Sequence, residues 1–335
     1  MLVACQQRMF DAVVARGFEA VALGPPGRPA ERLPLAEPDQ EREDRLLREG
    51  FAGGTSRKRA LALGELFARW PPDVVVHDES DFGAPLAAEL AGVPHAAVEI
   101  NAAGSFFRRE VLAEALDLVR AELGLPPDPE MRTKARHLVL SPFPPSFRHP
   151  DFPLPDTGHA IRLGHAPLAS GDTVYFTLGT VFGLESGDLF SRVVAGLRGR
   201  RAIVTVGRAI DPAELGPPPP GMRIERFVAQ AEVLPSCCAV VSHGGSGSLV
   251  GAFAHGLPSV VLAMGADQMH NAARCEAVGV ARLLHPVRAT PDDVAAAVTE
   301  VIEDPSYRAA AVRLHHEIAA LPGPEHAVSL VEALS

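Results

Sequence analysis

Short apolar runs alternate with amphipathic stretches along most of this chain. Apolar runs bounded by Gly and Pro predict buried parallel strands, and the amphipathic stretches between them predict helices. The clearest strands are predicted at Leu2–Cys5, Val74–Val76, Thr173–Leu178 and Ala239–Ser242. Because strand and helix alternate, the sequence predicts an α/β fold with parallel sheets.

A Pro-rich stretch over residues 126–167 interrupts this alternation, and Pro opposes regular structure. The chain has 335 residues, which is enough for two domains that each have their own core. We predict a first Rossmann-like domain over residues 1–155, a linker over 156–170 and a second domain over 171–315. A C-terminal helix over 316–335 is predicted to pack back toward the first domain.

Residues 28–49 contain several Pro residues and then many charged ones, and apolar positions are scarce. This composition predicts a loop that leads into a solvated helix. The alternative is a charged surface that binds a partner.

The turn after the strand Ala239–Ser242 carries the strongest candidate chemistry. It contains His243, Gly244, Gly245, Ser246, Gly247 and Ser248. Free N–H groups at a helix N-terminus bind phosphate, above all where Gly leaves them unobstructed, and His243 adds a donor. Ser246 and Ser248 are candidate caps for the following helix. The alternative is a tight packing turn, and neither GxGxxG nor GxxxxGK[ST] is present.

Asp78 lies just past the carboxyl end of a predicted strand, where open α/β sheets bind ligands. Its alternative role is to cap the next helix. We predict that the neighbouring His77 is structural, and so is Glu99.

Composition narrows the classes of partner. A net charge of −10 argues against nucleic acid, which selects basic proteins. No apolar run approaches the roughly 18 residues that span a bilayer, and Met1 does not begin a recognisable secretory signal. The four cysteines show no CxxC spacing, so a metal site is not expected. A cytoplasmic protein fits these features.

Several motifs occur together in a fixed order. They are Thr177-Leu178-Gly179-Thr180, Phe227-Val228-Ala229-Gln230, the turn from His243 to Ser248, and Gly265-Ala266-Asp267-Gln268 with Asn271. In their order and spacing they resemble nucleotide-sugar-dependent glycosyltransferases of the GT-B fold. Within that fold, the resemblance is to bacterial enzymes that glycosylate macrolides and other polyketide-type natural products. It extends from about Pro71 to the C-terminus and implies two Rossmann-like domains that face each other across a cleft.

The resemblance also implies a donor site. Its residues would be Gly179, Thr180, Val228, Gln230, His243, Gly244, Gly245, Ser246, Gly247, Ser248, Asp267, Gln268 and Asn271. His243, Thr180 and the turn's N–H groups would hold the diphosphate. Val228 and Gln230 would receive the nucleobase, and Asp267 and Gln268 the transferred sugar. The helix dipole and His243 would stabilise the leaving diphosphate, so neither a metal nor another cofactor is expected.

The implied reaction moves a hexose or deoxyhexose from a TDP- or UDP-sugar to a hydroxyl of a small hydrophobic acceptor, with inversion. Asp78 matches the carboxylate that orients the family's catalytic histidine. That histidine lies on the loop after the family's first strand, whereas this chain begins at what looks like the second strand. The expectation is that the natural start lies upstream of Met1. The alternative is a non-catalytic protein that binds a nucleotide or a partner.

The first strand is central in a doubly wound sheet. Without it, the strands at Leu2–Cys5 and Val74–Val76 are expected to expose unpaired edges, and self-association into a homo-oligomer is one hypothesis that follows.

Overall fold

The computed structural model describes residues 1–24, 31–180 and 182–335. Residues 25–30, which include the start of the stretch predicted as a loop, and Val181 lie outside these ranges. The strands are β1 Leu2–Cys5, β2 Glu19–Ala22, β3 Val75–Asp78, β4 His95–Val98, β5 Leu138–Ser141, β6 Gly158–Ala160, β7 Thr173–Thr177, β8 Ala202–Thr205, β9 Met222–Glu225, β10 Cys237–Ser242, β11 Ser259–Val261 and β12 Ala281–Leu283. The helices are α1 Phe10–Val14, α2 Gln40–Arg45, α3 Ser56–Arg69, α4 Gly83–Ala91, α5 Arg109–Glu122, α6 Leu189–Gly196, α7 Gln230–Val233, α8 Ser246–Ala254, α9 Gln268–Val278, α10 Pro291–Glu303, α11 Pro305–Ala320 and α12 Pro324–Glu332.

The described residues form three sheets whose strand pairs are all parallel. Their orders are β1-β2, then β3-β4-β5-β6, and then β12-β11-β10-β7-β8-β9. The predicted α/β class with parallel sheets is therefore confirmed.

The six-stranded sheet is buried on both faces. Helices α6 and α10 cover one face, and α8, α9 and α11 cover the other. This explains why β10 is an uninterrupted apolar run, since a strand buried on both sides has no polar face. In the register of the sheet, Ser242 at the end of β10 pairs with Thr177 of β7 and Val261 of β11. The turns that follow these three strands therefore lie side by side at the carboxyl ends of the strands.

The N-terminal half is divided between two sheets. Helices α3 and α4 cover both, because Leu63, Leu66 and Ala84 pack against side chains of β1, β2 and β3. Within the described ranges, β1 and β3 are not paired with each other, so each has an unpaired edge. The sequence predicted these two edges.

The stretch predicted as a linker, residues 156–170, contains strand β6, which pairs with β5. Its bounds are only Gly158–Ala160, too short to be read from a Pro-rich sequence. The C-terminal residues 316–335 contain the end of α11 and all of α12. Helix α12 packs through Ala327, Leu330 and Val331 on the four-stranded sheet.

Residues 31–45, which we call the crossing segment, lie against the C-terminal half. Arg32 pairs with Glu214 at 2.6 Å, and the Leu33 N–H donates to the Leu184 carbonyl at 2.9 Å. The prediction of a solvated helix here was wrong: Glu43 in α2 is buried, and so is Leu47 in the π-helical turn, Leu46–Thr55, that follows. The buried partners are distant in sequence, so charge density alone suggested exposure.

None of the helices in the described residues is both long and apolar enough to cross a membrane.

Candidate functional site

The turn between β10 and α8 is the centre of the candidate site. Gly244 has φ +81°, a conformation that residues with a Cβ rarely adopt, and it reverses the chain after His243. Gly245 occupies the N-cap position, and among the residues that the structure describes no side chain caps α8. The prediction that Ser246 or Ser248 caps this helix was therefore wrong. The Ser248 N–H bonds to the Gly245 carbonyl at 2.9 Å, so the N–H groups before it and the positive dipole end are the ones left for another acceptor.

The His243 ring is held between two glycines. A Cβ at Gly245 would lie 2.5 Å from His243 Nε2, and a Cβ at Gly179 would lie 2.8 Å from His243 Cε1. Both distances are too short for real atoms, so neither position accepts a side chain while the ring stays in place. The two predicted loops, one after β7 and one after β10, thus both contact the His243 ring.

His243 is a neutral, buried imidazole. Burial lowers its pKa from 6.5 to about 4. Its Nδ1 atom is buried and has no hydrogen-bond partner in residues 1–24, 31–180 and 182–335. An unpaired buried polar atom costs free energy, about 1–3 kcal/mol, and such atoms occur where a ligand or another function compensates.

Ser246 connects the turn to both halves of the protein. Its Oγ donates to Asp267 Oδ2 at 2.6 Å and accepts from the backbone N–H of Ala102 at 2.8 Å. Asn271 Nδ2 donates to the Gly244 carbonyl at 3.0 Å, and Asn271 Oδ1 accepts from the Ala103 N–H at 3.1 Å. Asn271 is completely buried, and its side-chain bonds support the turn.

Asp267 and Gln268 are largely engaged in internal hydrogen bonds. Asp267 Oδ2 accepts from Ser246 and also from Asn271 Nδ2 at 2.7 Å, and burial raises the pKa of its carboxyl. Gln268 is 1 % exposed, and its Oε1 accepts from the backbone N–H groups of Met264 at 2.8 Å and Gly265 at 3.4 Å. These bonds fix the turn before α9, a role that residue type alone did not reveal.

The loop after β9 presents an aromatic surface. Phe227 is 54 % exposed, and the Arg208 guanidinium lies 4.5 Å from its ring centroid. Both residues line a shallow pocket next to Val228. Gln230 begins α7, and its side-chain amide packs against Gly251 of α8. A Cβ at Gly251 would lie 2.7 Å from Gln230 Oε1, so only glycine leaves enough space for the amide there. Arg208 could not be predicted from the sequence, since its loop carries no motif.

Thr180 is exposed at the end of the loop after β7. Asp78 is also exposed, at the end of β3 in the other half. Its Oδ1 accepts from the Ser80 N–H at 2.8 Å and from Ser80 Oγ at 2.5 Å. Asp78 therefore closes a local turn, while Asp81 accepts from the N–H of Ala84 in the first turn of α4.

His77 is structural, as predicted. Its Nδ1 bonds to the Asp78 carbonyl at 2.9 Å, and its Nε2 lies 3.1 Å from His95 Nδ1. Both rings are buried, and desolvation lowers the pKa of each. Glu99 is likewise structural, because its carboxylate pairs with Arg148 in the interior.

A polar network between the halves was not predicted. Asp44 pairs with Arg108 at 2.5 Å, Arg108 bonds to His270 Nε2 at 2.9 Å, and Ser105 Oγ lies 3.0 Å from His270 Nδ1. These residues belong to separate stretches without a shared motif, so only the fold brings them together. Among the described residues, no group of three or more His, Cys, Asp or Glu is arranged to hold a metal ion.

The fold and the position of these turns define a class of protein. Two α/β halves with parallel sheets contact each other through turns at the carboxyl ends of their strands, the arrangement of GT-B glycosyltransferases. The solved structure of spinosyn rhamnosyltransferase SpnG complexed with thymidine diphosphate has this fold: it aligns with a TM-score of 0.78 at 23% sequence identity, covering 99% of this chain and 91% of that chain.

Sequence comparisons identify the family. The family described as erythromycin biosynthesis protein CIII-like, C-terminal domain, matches residues 201–334. The L-demethylnoviosyl transferase of Streptomyces niveus is 30% identical over 97% of this chain and 88% of its own length. The 4'-demethylrebeccamycin synthase of Lentzea aerocolonigenes is 30% identical over 82% of this chain and 76% of its own length. The chain belongs to the family of natural-product glycosyltransferases, and it is an enzyme of that type.

Proposed function

We propose that the protein transfers a hexose or deoxyhexose from a TDP- or UDP-sugar to a hydroxyl group of a small hydrophobic acceptor, with inversion at the anomeric carbon. The observation that carries this proposal is the His243 turn. A buried imidazole with an unpaired Nδ1 lies beside an uncapped helix N-terminus, and glycines keep the space around the ring free of side chains.

The diphosphate is proposed to bind at this turn. Its oxygens would accept hydrogen bonds from the N–H groups at the start of α8 and from Thr180 on the facing loop. His243 would donate one hydrogen bond as a neutral ring, or pair as a cation once the phosphate raises its pKa. These contacts stabilise the charge that develops on the leaving nucleoside diphosphate, so the proposed mechanism assigns no step to a metal.

The nucleobase is proposed to lie against the loop after β9. Phe227 offers an exposed aromatic face, and Val228 offers backbone groups next to it. The thymidine diphosphate bound by SpnG supports a TDP-sugar as the first donor to test. Gln230 is placed at the helix beside this loop and would bind the same nucleotide.

The acceptor is proposed to bind near an apolar wall in the N-terminal half. Phe82, Phe106 and Phe107 pack together there, with Phe82 and Phe107 ring centroids 5.2 Å apart. In the reaction, the acceptor hydroxyl loses its proton to a general base, and its oxygen bonds to the anomeric carbon. The bond from that carbon to the diphosphate oxygen breaks at the same time. Asp78 is proposed to orient the base.

The test is to titrate the protein with TDP and UDP by calorimetry, and then to supply TDP- and UDP-sugars with a panel of aglycones. We expect binding of one nucleotide and, by mass spectrometry, a glycosylated product with release of the nucleoside diphosphate. Binding without turnover in the protein isolated from its native source would support the non-catalytic alternative. Failure to bind either nucleotide would refute the proposed donor site.

A further inference from the structure

Glu43 occupies an unexpected place beside the donor loops. It belongs to α2 in the N-terminal half, yet its Oε1 would lie 3.0 Å from a Cβ at Gly265 of the C-terminal half. The Phe182 ring approaches the same Cβ position at 3.4 Å, and its centroid is 5.9 Å from that of His243. Phe182 therefore lies near both Glu43 and the imidazole that we assign to the diphosphate.

Contacts on both sides hold Glu43 in this place. Before it in the chain, Glu37 pairs with His285 Nε2 at 2.9 Å. The contacts of Arg32 and Leu33 described above fasten the start of the crossing segment to the same half. After it, Asp44 bonds to Arg108, which is linked to His270 on α9. Because contacts on both sides fasten this stretch of chain to the C-terminal half, the Glu43 carboxylate is held next to Gly265 as part of the fold.

The Glu43 carboxylate has one long ion pair within the described part of the chain. Glu43 is 9% exposed, and burial of a carboxylate is costly unless its charge is paired. Its ion-pair partner in the described part of the chain is Arg42, the adjacent residue, at 3.3 Å, whose side chain remains 43% exposed. By contrast, the neighbouring Asp44 has a 2.5 Å bond to Arg108. A buried carboxylate that keeps one weak partner is suited to receive another from a ligand.

The two residues implied to bind the sugar, Asp267 and Gln268, make more internal hydrogen bonds than Glu43 does. Asp267 Oδ2 and Gln268 Oε1 each accept two internal hydrogen bonds. In the described residues, the Glu43 carboxylate next to Gly265 accepts one side-chain hydrogen bond, from Arg42, which is fewer than the two of Asp267 or Gln268. Its negative charge would favour a positively charged group on the ligand.

We propose that Glu43 accepts a hydrogen bond from the transferred sugar and that its charge selects sugars bearing an ammonium group. This inference rests on the proposed function, because it assumes that the diphosphate binds at His243. It assigns Glu43 to the specificity for the sugar and leaves the diphosphate and nucleobase contacts to the other loops.

The test compares three probes by calorimetry: TDP alone, TDP-glucose, and a TDP-sugar in which one hydroxyl is replaced by an amino group. If the donor proves to be a uridine nucleotide, the UDP series replaces it. Glu43→Gln keeps the shape and an acceptor oxygen but removes the charge. We expect the preference for the amino sugar over glucose to fall about tenfold, since charge-assisted hydrogen bonds exceed neutral ones by roughly 1.4 kcal/mol. Affinity for TDP alone should not change.

Glu41→Gln is the matched control, because Glu41 lies on the same helix but is exposed. It should alter none of the three affinities. An unchanged sugar preference in Glu43→Gln, or the same loss in Glu41→Gln, would overturn the proposal while the donor site stands. If Glu43→Gln also loses TDP, the carboxylate supports the fold of the site and the proposal fails. If the wild type binds neither TDP nor UDP, the proposed function fails first and this inference falls with it.

Discussion

The turn after β10 and the turn after β3 occupy equivalent places in the two halves, yet they use their polar groups differently. Each follows a parallel strand and leads into a helix. After β3, Asp78 bonds to Ser80 and Asp81 to the first turn of α4, so the side chains satisfy the backbone locally. After β10, no cap is present among the described residues, and His243 Nδ1 is unpaired. A turn that leaves hydrogen-bonding capacity unfilled inside a fold is the better candidate for a ligand site.

Substitution of Asp78 is expected to have the largest effect. Asn in its place still accepts a hydrogen bond from Ser80, so the turn should persist. If Asp78 orients the base, Asp78→Asn should lower kcat by about 10²–10⁴-fold, because proton transfer in the transition state contributes that much. Steady-state kinetics with saturating donor measures it.

In that experiment the affinity for TDP serves as the control and should not move. An unchanged kcat would show that the turn after β3 is purely structural and would remove Asp78 from the mechanism.

His243→Gln tests the other turn. The change leaves a polar side chain but removes the imidazole that lies beside the N-terminus of α8. We expect kcat/KM to fall by about 10²–10³-fold, the effect of losing one preorganised donor to a developing oxyanion. Measured affinity for TDP should fall in the same variant. Full activity would contradict the assignment of the diphosphate to this turn.

Gly245→Ala tests the space around the ring without changing any polar group. Its Cβ would lie 2.5 Å from His243 Nε2, so the imidazole must move. A displacement near 1 Å of a positioning group costs about 10²-fold in activity. The expected result is a loss of that order in kcat/KM with the melting temperature little changed.

Gly64→Ala is the matched control for that variant. Gly64 lies in α3, and within the described ranges a Cβ there meets nothing within 4 Å. Activity should be unchanged and stability higher by about 0.5–1 kcal/mol, because Ala is the better helix former. If Gly64→Ala loses activity as Gly245→Ala does, crowding of His243 is not the cause.

The pH dependence of TDP binding gives the smallest expected effect. The pKa of free His243 is about 4 because the ring is buried, and a bound phosphate would raise it. Binding then takes up a proton, so affinity should increase as pH falls from the raised pKa toward 4, by at most about tenfold per pH unit. The ratio of wild-type to His243→Gln affinity isolates this effect from titration of the nucleotide. A ratio independent of pH would mean that the ring stays neutral in the complex.

The two turns also differ in how much of them could be predicted. The residues from His243 to Ser248 lie in one continuous motif, so their place after a buried strand followed from local pattern. What the side chains do there did not follow. Ser246 was predicted as a cap, but its hydroxyl bonds to Asp267 and Ala102, because the fold brings the other half within reach.

Long-range packing explains the larger errors. The charged stretch that contains Glu43 resembles a solvated helix because its partners, such as Gly265, are far away in the sequence. The complete burial of Asn271, which was predicted as a donor-site residue, comes from the approach of Ala103 and Gly244 and could not be read from the sequence. Sequence pattern predicted β7 and β10 of the six-stranded sheet well, since burial on both faces leaves them a continuous apolar signal.

The crossing segment has a consequence for engineering new enzymes by exchanging halves between relatives. Each half of this protein carries a piece that belongs to the surface of the other. The crossing segment comes from the N-terminal half and lies on the C-terminal one. Helix α12 follows the C-terminal half in the chain and packs on the four-stranded sheet of the N-terminal half. A chimaera joined only near residue 171 would set both pieces against foreign surfaces. The natural unit of exchange is the C-terminal sheet together with residues 31–45, with α12 retained from the donor of the four-stranded sheet.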